Sequence, residues 1–194
     1  MKVVHLSNFA YQYVVSLVNS LSDRCECVLL SPISNNGEAF FQQLSDKVIH
    51  EKYNNFRVRN PANLFEARKM LDTIRRHKPD ILHIQHHGDL WLSLLLKFTQ
   101  KNFRIINTVH DIKPHTGFER FYHKPHASAG RSISDKYVVH GESLRVEFMK
   151  RYSINKDKIG VISHGNYDIY DKLSNSSTEE EPNTVLGGGS AYTG

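Results

Sequence analysis

The stretch that decides the fold is RIINTVHDIKPHTG, residues 104–117. Arg104 to Val109 make a short, largely apolar run of the kind that fills a strand buried on both faces. The run stops at His110-Asp111, and Pro114, His115 and Gly117 follow at once. A buried strand that ends on a histidine and a carboxylate and then turns delivers polar groups to one end of a sheet. In an open parallel sheet, ligands bind outside the carboxyl ends of the strands.

Working outward, the same pattern repeats. Strands are expected at 2–6 (KVVHL), 26–30 (ECVLL), 80–84 (DILHI), 104–109, 135–139 (DKYVV) and 158–162 (KIGVI), with a weaker one near Lys47-Val48-Ile49. Helical spacing lies between them. Val14, Leu17, Val18 and Leu21 follow Asn8, a candidate cap; Leu64, Ala67, Leu71 and Ile74 follow Asn60-Pro61, a candidate cap and first-turn proline. Residues 89–98, DLWLSLLLKF, are apolar nearly all round and predict a buried helix that Asp89 caps. A further short helix is expected from Glu142 to Arg151. This alternation predicts an α/β fold, a doubly wound, mostly parallel Rossmann-like sheet.

With 194 residues the chain can build one sizeable core. No run approaches the ~18 apolar residues that would span a bilayer. The start, Met1 to Leu6, is too short and polar-interrupted for a signal peptide and reads as the first strand. Cys25 and Cys27, the only cysteines, alternate with Glu26; they share a strand face but are poorly placed to bond each other, which points to buried thiols in a reducing, cytoplasmic setting.

Net charge is +5, and residues 173–194 contain three acids and no Lys or Arg, so the body carries +8. Such an excess attracts phosphorylated small molecules, nucleic acid or the anionic inner face of a membrane, and it is equally what a solvated surface carries. The basic residues are scattered without a recognition motif, so nucleic acid is not an expected partner. Ser174 to Pro182 has linker composition, and Asn183 to Leu186 runs into Gly187-Gly188-Gly189-Ser190. The expected division is a lobe over 1–172 and, over 173–194, a polar linker with either the start of a second lobe or an added tail.

The expected strand ends are Ser7-Asn8, Ser31-Pro32, His86-His87-Gly88-Asp89, His110-Asp111, His140-Gly141-Glu142 and His164-Gly165, and four of these six carry a histidine. With 12 histidines in the chain, that clustering points to a site. His83, inside a strand, reads as a satisfied core histidine. His86 and His87 adjoin a turn and a helix start. The HIQHH cluster suggests a metal, but ligands at that spacing on a strand end do not converge without partners, so no metal site is expected. His110-Asp111 lies where a central strand delivers it to the crevice; alternatively, Asp111 caps the turn and His110 packs against it. Dinucleotide, phosphate-loop and nucleophile-elbow motifs are absent.

The ordered strand ends resemble the N-terminal domain of family-four glycosyltransferases, enzymes of two Rossmann-like lobes (the GT-B architecture). The matching pieces are KVVHLSN at the start, PDILHIQHHGDLWLSLL at 79–95, INTVHDIKPHTG at 106–117, DKYVVHGESLR at 135–145 and KIGVISHGNYD at 158–168. The resemblance implies retaining transfer of a sugar from a nucleotide-sugar to an acceptor hydroxyl. It makes His110 the donor-sugar contact; the positions at and around the strand ends add the substrate-binding set Asn8, His86, His87, Asp111 (the structural neighbour of His110), His115, Glu142 and His164. It implies no cofactor, and peripheral contact with lipid, since many relatives use lipid-linked acceptors. Two departures stand out: Ser7-Asn8-Phe9-Ala10 replaces the glycine-rich loop after the first strand, and no Glu-x₇-Glu pair of the C-terminal lobe is present. That lobe is therefore expected in cis or in trans, and this chain is expected to be inactive alone. The competing expectations are a standalone α/β binding or partner subunit without catalysis, and a flavodoxin-like regulatory module.

Overall fold

The computed structural model describes residues 1–33, 37–54, 60, 62–85, 89–112 and 123–163. Strands and helices alternate: β1 (Lys2–Leu6), α1 (Tyr11–Ser22), β2 (Glu26–Pro32), α2 (Glu38–Phe41), β3 (Val48–Tyr53), α3 (Ala62–Arg76), β4 (Ile81–Ile84), α4 (Leu90–Phe98), β5 (Arg104–Val109), α5 (His123–Ile133), β6 (Lys136–Val139), α6 (Glu142–Tyr152) and β7 (Ile159–Val161). The seven strands form one sheet in the order β3-β2-β1-β4-β5-β6-β7, and every pairing is parallel. The chain winds outward from β1 toward β3, then crosses back to β4 and winds the other way. The reversal leaves the carboxyl ends of β1 and β4 side by side, which is the topological switch point where such sheets bind ligands.

Alternation along the strands sorts the side chains onto two faces. On one, Cys27 and Leu29 pack under Val14, Val15 and Val18 of α1 and Phe41 of α2. On the other, Val4, Leu6, Leu82, Ile84 and Ile105 pack against α3 (Ala67, Met70, Leu71, Ile74) and α4 (Leu92, Leu96). A third cluster joins Tyr137, Val139 and Ile159 to Phe148 of α6. Both faces of the central strands are thereby dry, which is why these strands read as near-continuous apolar runs.

At the amino end of the sheet, two aspartates tie neighbouring strands together. Asp80 accepts from the Lys2 amide at 2.7 Å, and Asp135 accepts from the Ile105 amide at 2.7 Å. Each supplies an acceptor where the parallel ladder runs out.

Two local expectations need correction. Asn8 does not cap α1: the residue at that position is Ala10, left-handed at φ 53°, with no side-chain cap. The helix is entered through a backbone turn, and the Asn8 carbonyl instead accepts from the Tyr11 hydroxyl at 3.0 Å. Helix α4 is not buried all round, since Leu94 is 38% and Phe98 81% exposed. Only one stripe faces the sheet, and the opposite side has no element over it among the described residues. As expected, Cys25 and Cys27 form no disulfide with each other, although their thiols touch at 3.7 Å. Cys25 precedes the strand and is not held to strict alternation, so its side chain can swing onto its neighbour; burial and the adjacent thiol push Cys27 up to about 12. The Asn60 and Asp89 caps form as expected, on the amides of Ala62 and Leu92.

Candidate functional site

The strand registers align a row of histidines on the α1 face. His5 of β1 lies opposite His83 of β4, and their rings sit 5.3 Å apart. His83 holds the Thr108 hydroxyl of β5 at 2.8 Å and meets the Gln85 amide at 3.0 Å. Two residues beyond Thr108, on the same face, His110 emerges at the carboxyl end of β5. There it meets His140, from the end of β6, at 5.0 Å. Polar side chains thus run from the sheet interior to its rim, across β1, β4, β5 and β6.

The interior members are neutral. Burial pushes His5 down to about 4, and burial together with the nearby His5 and His110 holds His83 well below the usual imidazole range. His5 is fully buried and neither ring nitrogen has a hydrogen-bond partner among the described residues. The rim members are half-buried and enclosed by aromatic rings. Tyr13 of α1 stands edge-on to His110 at 5.3 Å and to His140 at 5.2 Å, while Phe9 meets His110 at 5.1 Å. Phe9 comes from the loop after β1, so the loop at the switch point forms one wall around His110. His110 is therefore half-buried and held by contacts from three elements at the rim.

A second feature lies on the other face of the same strand ends. Asn8, Tyr53, Asn54, Asn63, Glu66 and Asp89 line a cleft of ≈ 360 Å³, open to solvent, with Leu6, Ala67 and Met70 among its other walls. Burial, with Asp89 and Tyr11 nearby, pushes the Tyr53 phenol far up, so it is a neutral donor there. The loop Ser7-Asn8-Phe9 joins the two features: Asn8 reaches the cleft and Phe9 the histidine pair.

The family model described as Glycosyltransferase Family 4 matches residues 10–166, well over half of the chain. The chain belongs to Glycosyltransferase Family 4. Among curated proteins none matches. Solved structures share the fold of this glycosyltransferase lobe at low identity. An Anabaena protein, HepE, solved with UDP and glucose, is 12% identical at a TM-score of 0.62. A glycosyltransferase from Rickettsia africae is 15% identical at 0.60, and a UDP-GlcNAc 2-epimerase from Neisseria meningitidis, bound to UDP-GlcNAc, 13% at 0.64. The matches cover 92%, 93% and 92% of this chain but 50%, 50% and 51% of those proteins, so the chain spans about half their length.

Of the residues the sequence singled out in this Family 4 lobe, His110 and Asn8 come to the switch point. Asp111 follows His110 and is exposed. Glu142 opens α6, exposed and paired with Arg145 at 2.5 Å, so it lies at the rim of β6 rather than against His110. His86, His87, His115 and His164 lie outside the described residues. Sequence reasoning counted His140 among the strand-end histidines but gave it no place in the site, because its approach to His110 depends on the β5–β6 register. It also omitted Tyr13, whose helical position read as one more core residue. Among the described residues no three His, Cys, Asp or Glu side chains could together hold a metal ion, and no helix is long and apolar enough to cross a membrane.

Proposed function

We propose that this chain is the N-terminal lobe of a retaining glycosyltransferase that moves a sugar from a nucleotide-sugar to an acceptor hydroxyl. The observation that carries the reading is the enclosure of His110 by Phe9, Tyr13 and His140 at the carboxyl end of the central strands. A polar ring held in place before the ligand arrives can bond a sugar hydroxyl without reorganising, which is how preorganised groups favour a charged transition state. His110 is the donor-sugar contact. Asn8, Asp111 and Glu142, with His86, His87, His115 and His164, form the wider substrate-binding rim. The leaving diphosphate is neutralised by groups of a second lobe, supplied in cis or in trans, and no resident cofactor or metal is required. The length of the comparison proteins supports that division, and the nucleotides bound to two of them support the donor class.

The +8 body of this lobe further supports peripheral contact with anionic lipid at the cytoplasmic face. The epimerases of the same fold suggest a second reading, isomerisation of a nucleotide-sugar without an acceptor; the family match favours transfer.

Titrating the chain with UDP-glucose and UDP-GlcNAc, followed by ligand-observed NMR and a turnover assay, tests the proposal. Measurable binding is expected, with His110→Ala weakening it by about tenfold, or ~1.4 kcal/mol. No sugar transfer is expected from the chain alone. Turnover without a partner, or binding indifferent to His110, overturns the reading.

A further inference from the structure

Cys25 and Cys27 are the only cysteines of the chain, and they meet. Their sulfurs lie 3.7 Å apart at the amino end of β2, away from the strand-end histidines. The two are held differently. Cys27 is 2% exposed and stands in the ladder on both sides, opposite Val3 of β1 and Val48 of β3. Cys25 is half-buried and is in register with neither strand; it closes the turn that leaves α1. There the Leu21 carbonyl accepts from the amides of Arg24 at 2.9 Å and Cys25 at 3.0 Å, and the Cys25 thiol lies 3.5 Å from the same oxygen. A thiol is a weak donor, so with two amides already on that carbonyl the sulfur is released at little cost. Cys27 is thus a fixed target and Cys25 its movable partner.

We propose that Cys25 and Cys27 form a modification site, which hydrogen peroxide converts to a reversible intramolecular disulfide. Cys25 reacts first, because it is the thiol that solvent reaches. Its sulfur attacks one oxygen of the peroxide, the O–O bond breaks, and the departing hydroxide leaves as water with the thiol proton. The product is a sulfenic acid, with sulfur oxidised and the peroxide reduced. The Cys27 sulfur then attacks the Cys25 sulfur. The S–S bond forms, the S–O bond breaks, and the second hydroxide takes the Cys27 proton and leaves as water. Two thiols and one peroxide thus give one disulfide and two waters. The sulfurs must close from 3.7 Å to about 2.05 Å. Rotation of the Cys25 side chain and adjustment of its turn supply that shift, while Cys27 stays in register. Burial and the neighbouring thiol push Cys27 up to about 12, so it keeps its proton and serves as the resolving partner. A bridge across one intervening residue closes a tight ring, and strained disulfides are the readily reduced ones.

The test exposes the reduced whole chain to hydrogen peroxide and alkylates it with iodoacetamide under denaturing conditions. Mass spectrometry then reads the intact chain and the tryptic peptide that carries both cysteines. Wild type is expected to lose two hydrogens, take up no alkyl group and regain both alkylation sites after dithiothreitol. In Cys27→Ser, Cys25 should stop at the sulfenic acid, which dimedone labels. In Cys25→Ser, the buried Cys27 should oxidise about tenfold more slowly than Cys25 does in Cys27→Ser. Three wild-type results overturn the proposal: a sulfinic acid on Cys25 beside an alkylated Cys27, a disulfide between two chains, or two thiols still alkylated under conditions that oxidise free glutathione. Equal oxidation rates in the two variants overturn the order of attack. None of these readouts involves a sugar, so the function proposed above stands or falls separately.

Discussion

His5 shows what a single residue contributes to this fold. The imidazole replaces an apolar side chain at the centre of β1, fully buried, and it stays neutral because its surroundings cannot solvate a charge. Its folded pKa, about 4, lies below the 6.5 of an exposed imidazole. Above pH 6.5 neither state is protonated and the folded protein keeps its full stability. As pH falls from there toward 4, the unfolded chain binds a proton that the folded state refuses, and stability is lost. At ~1.4 kcal/mol per unit the loss is on the order of 3 kcal/mol for His5, and His83, shifted the same way, adds to it. Urea denaturation should therefore give midpoints that drop steeply between pH 6.5 and 4, with a shallower slope in His5→Phe. Equal slopes for the two proteins would show that this imidazole is not what titrates.

At the scale of elements, α4 separates what a sequence shows from what it does not. Its run of leucines marks a helix, and Asp89 marks its start. Which leucines face the sheet follows only from where α3 and α5 lie, and that is not a local property. Strand β3, at one edge of the sheet, was the weakest to read, because it mixes polar and apolar side chains along VIHEKY and never forms a continuous apolar run. The central strands were legible because burial on both faces leaves little else to choose. The strand-end histidines were legible one by one, but their contacts depend on register between strands far apart in sequence. The packing of α4 gives a contrast to measure by urea unfolding. Leu96→Ala removes fully buried carbons and should cost about 2–5 kcal/mol, whereas Phe98→Ser on the exposed side should change stability by less than ~0.5 kcal/mol. Asp89→Ala should cost about 1 kcal/mol through the lost cap, with Asp89→Ser largely retaining it. A large loss from Phe98→Ser would mean that something covers that face in solution.

For the molecule as a whole, the winding of the chain gives the two rims different work. At the amino rim, Asp80 and Asp135 are already committed to strand amides, and the Met1 amine lies 4.0 Å from Asp80. Those groups hold neighbouring strands in register. At the carboxyl rim, the rings of Tyr13, His110 and His140 meet, and His140 Nδ1 donates to the Ile162 carbonyl. The difference predicts where a nucleotide-sugar is felt. Amide chemical-shift changes on adding UDP-glucose should concentrate in Ser7 to Phe9, Tyr13, His110 to Ile112 and His140 to Glu142, with Lys2, Asp80, Arg104 and Asp135 unmoved. In His110→Ala the same set should respond more weakly at equal ligand concentration. Changes centred on the amino rim would place the ligand on the wrong side of the sheet and remove the basis for reading the histidine row as a sugar site. Changes spread evenly over both rims would indicate a global rearrangement rather than a local site, which a sheet this tightly paired at its amino end should not undergo.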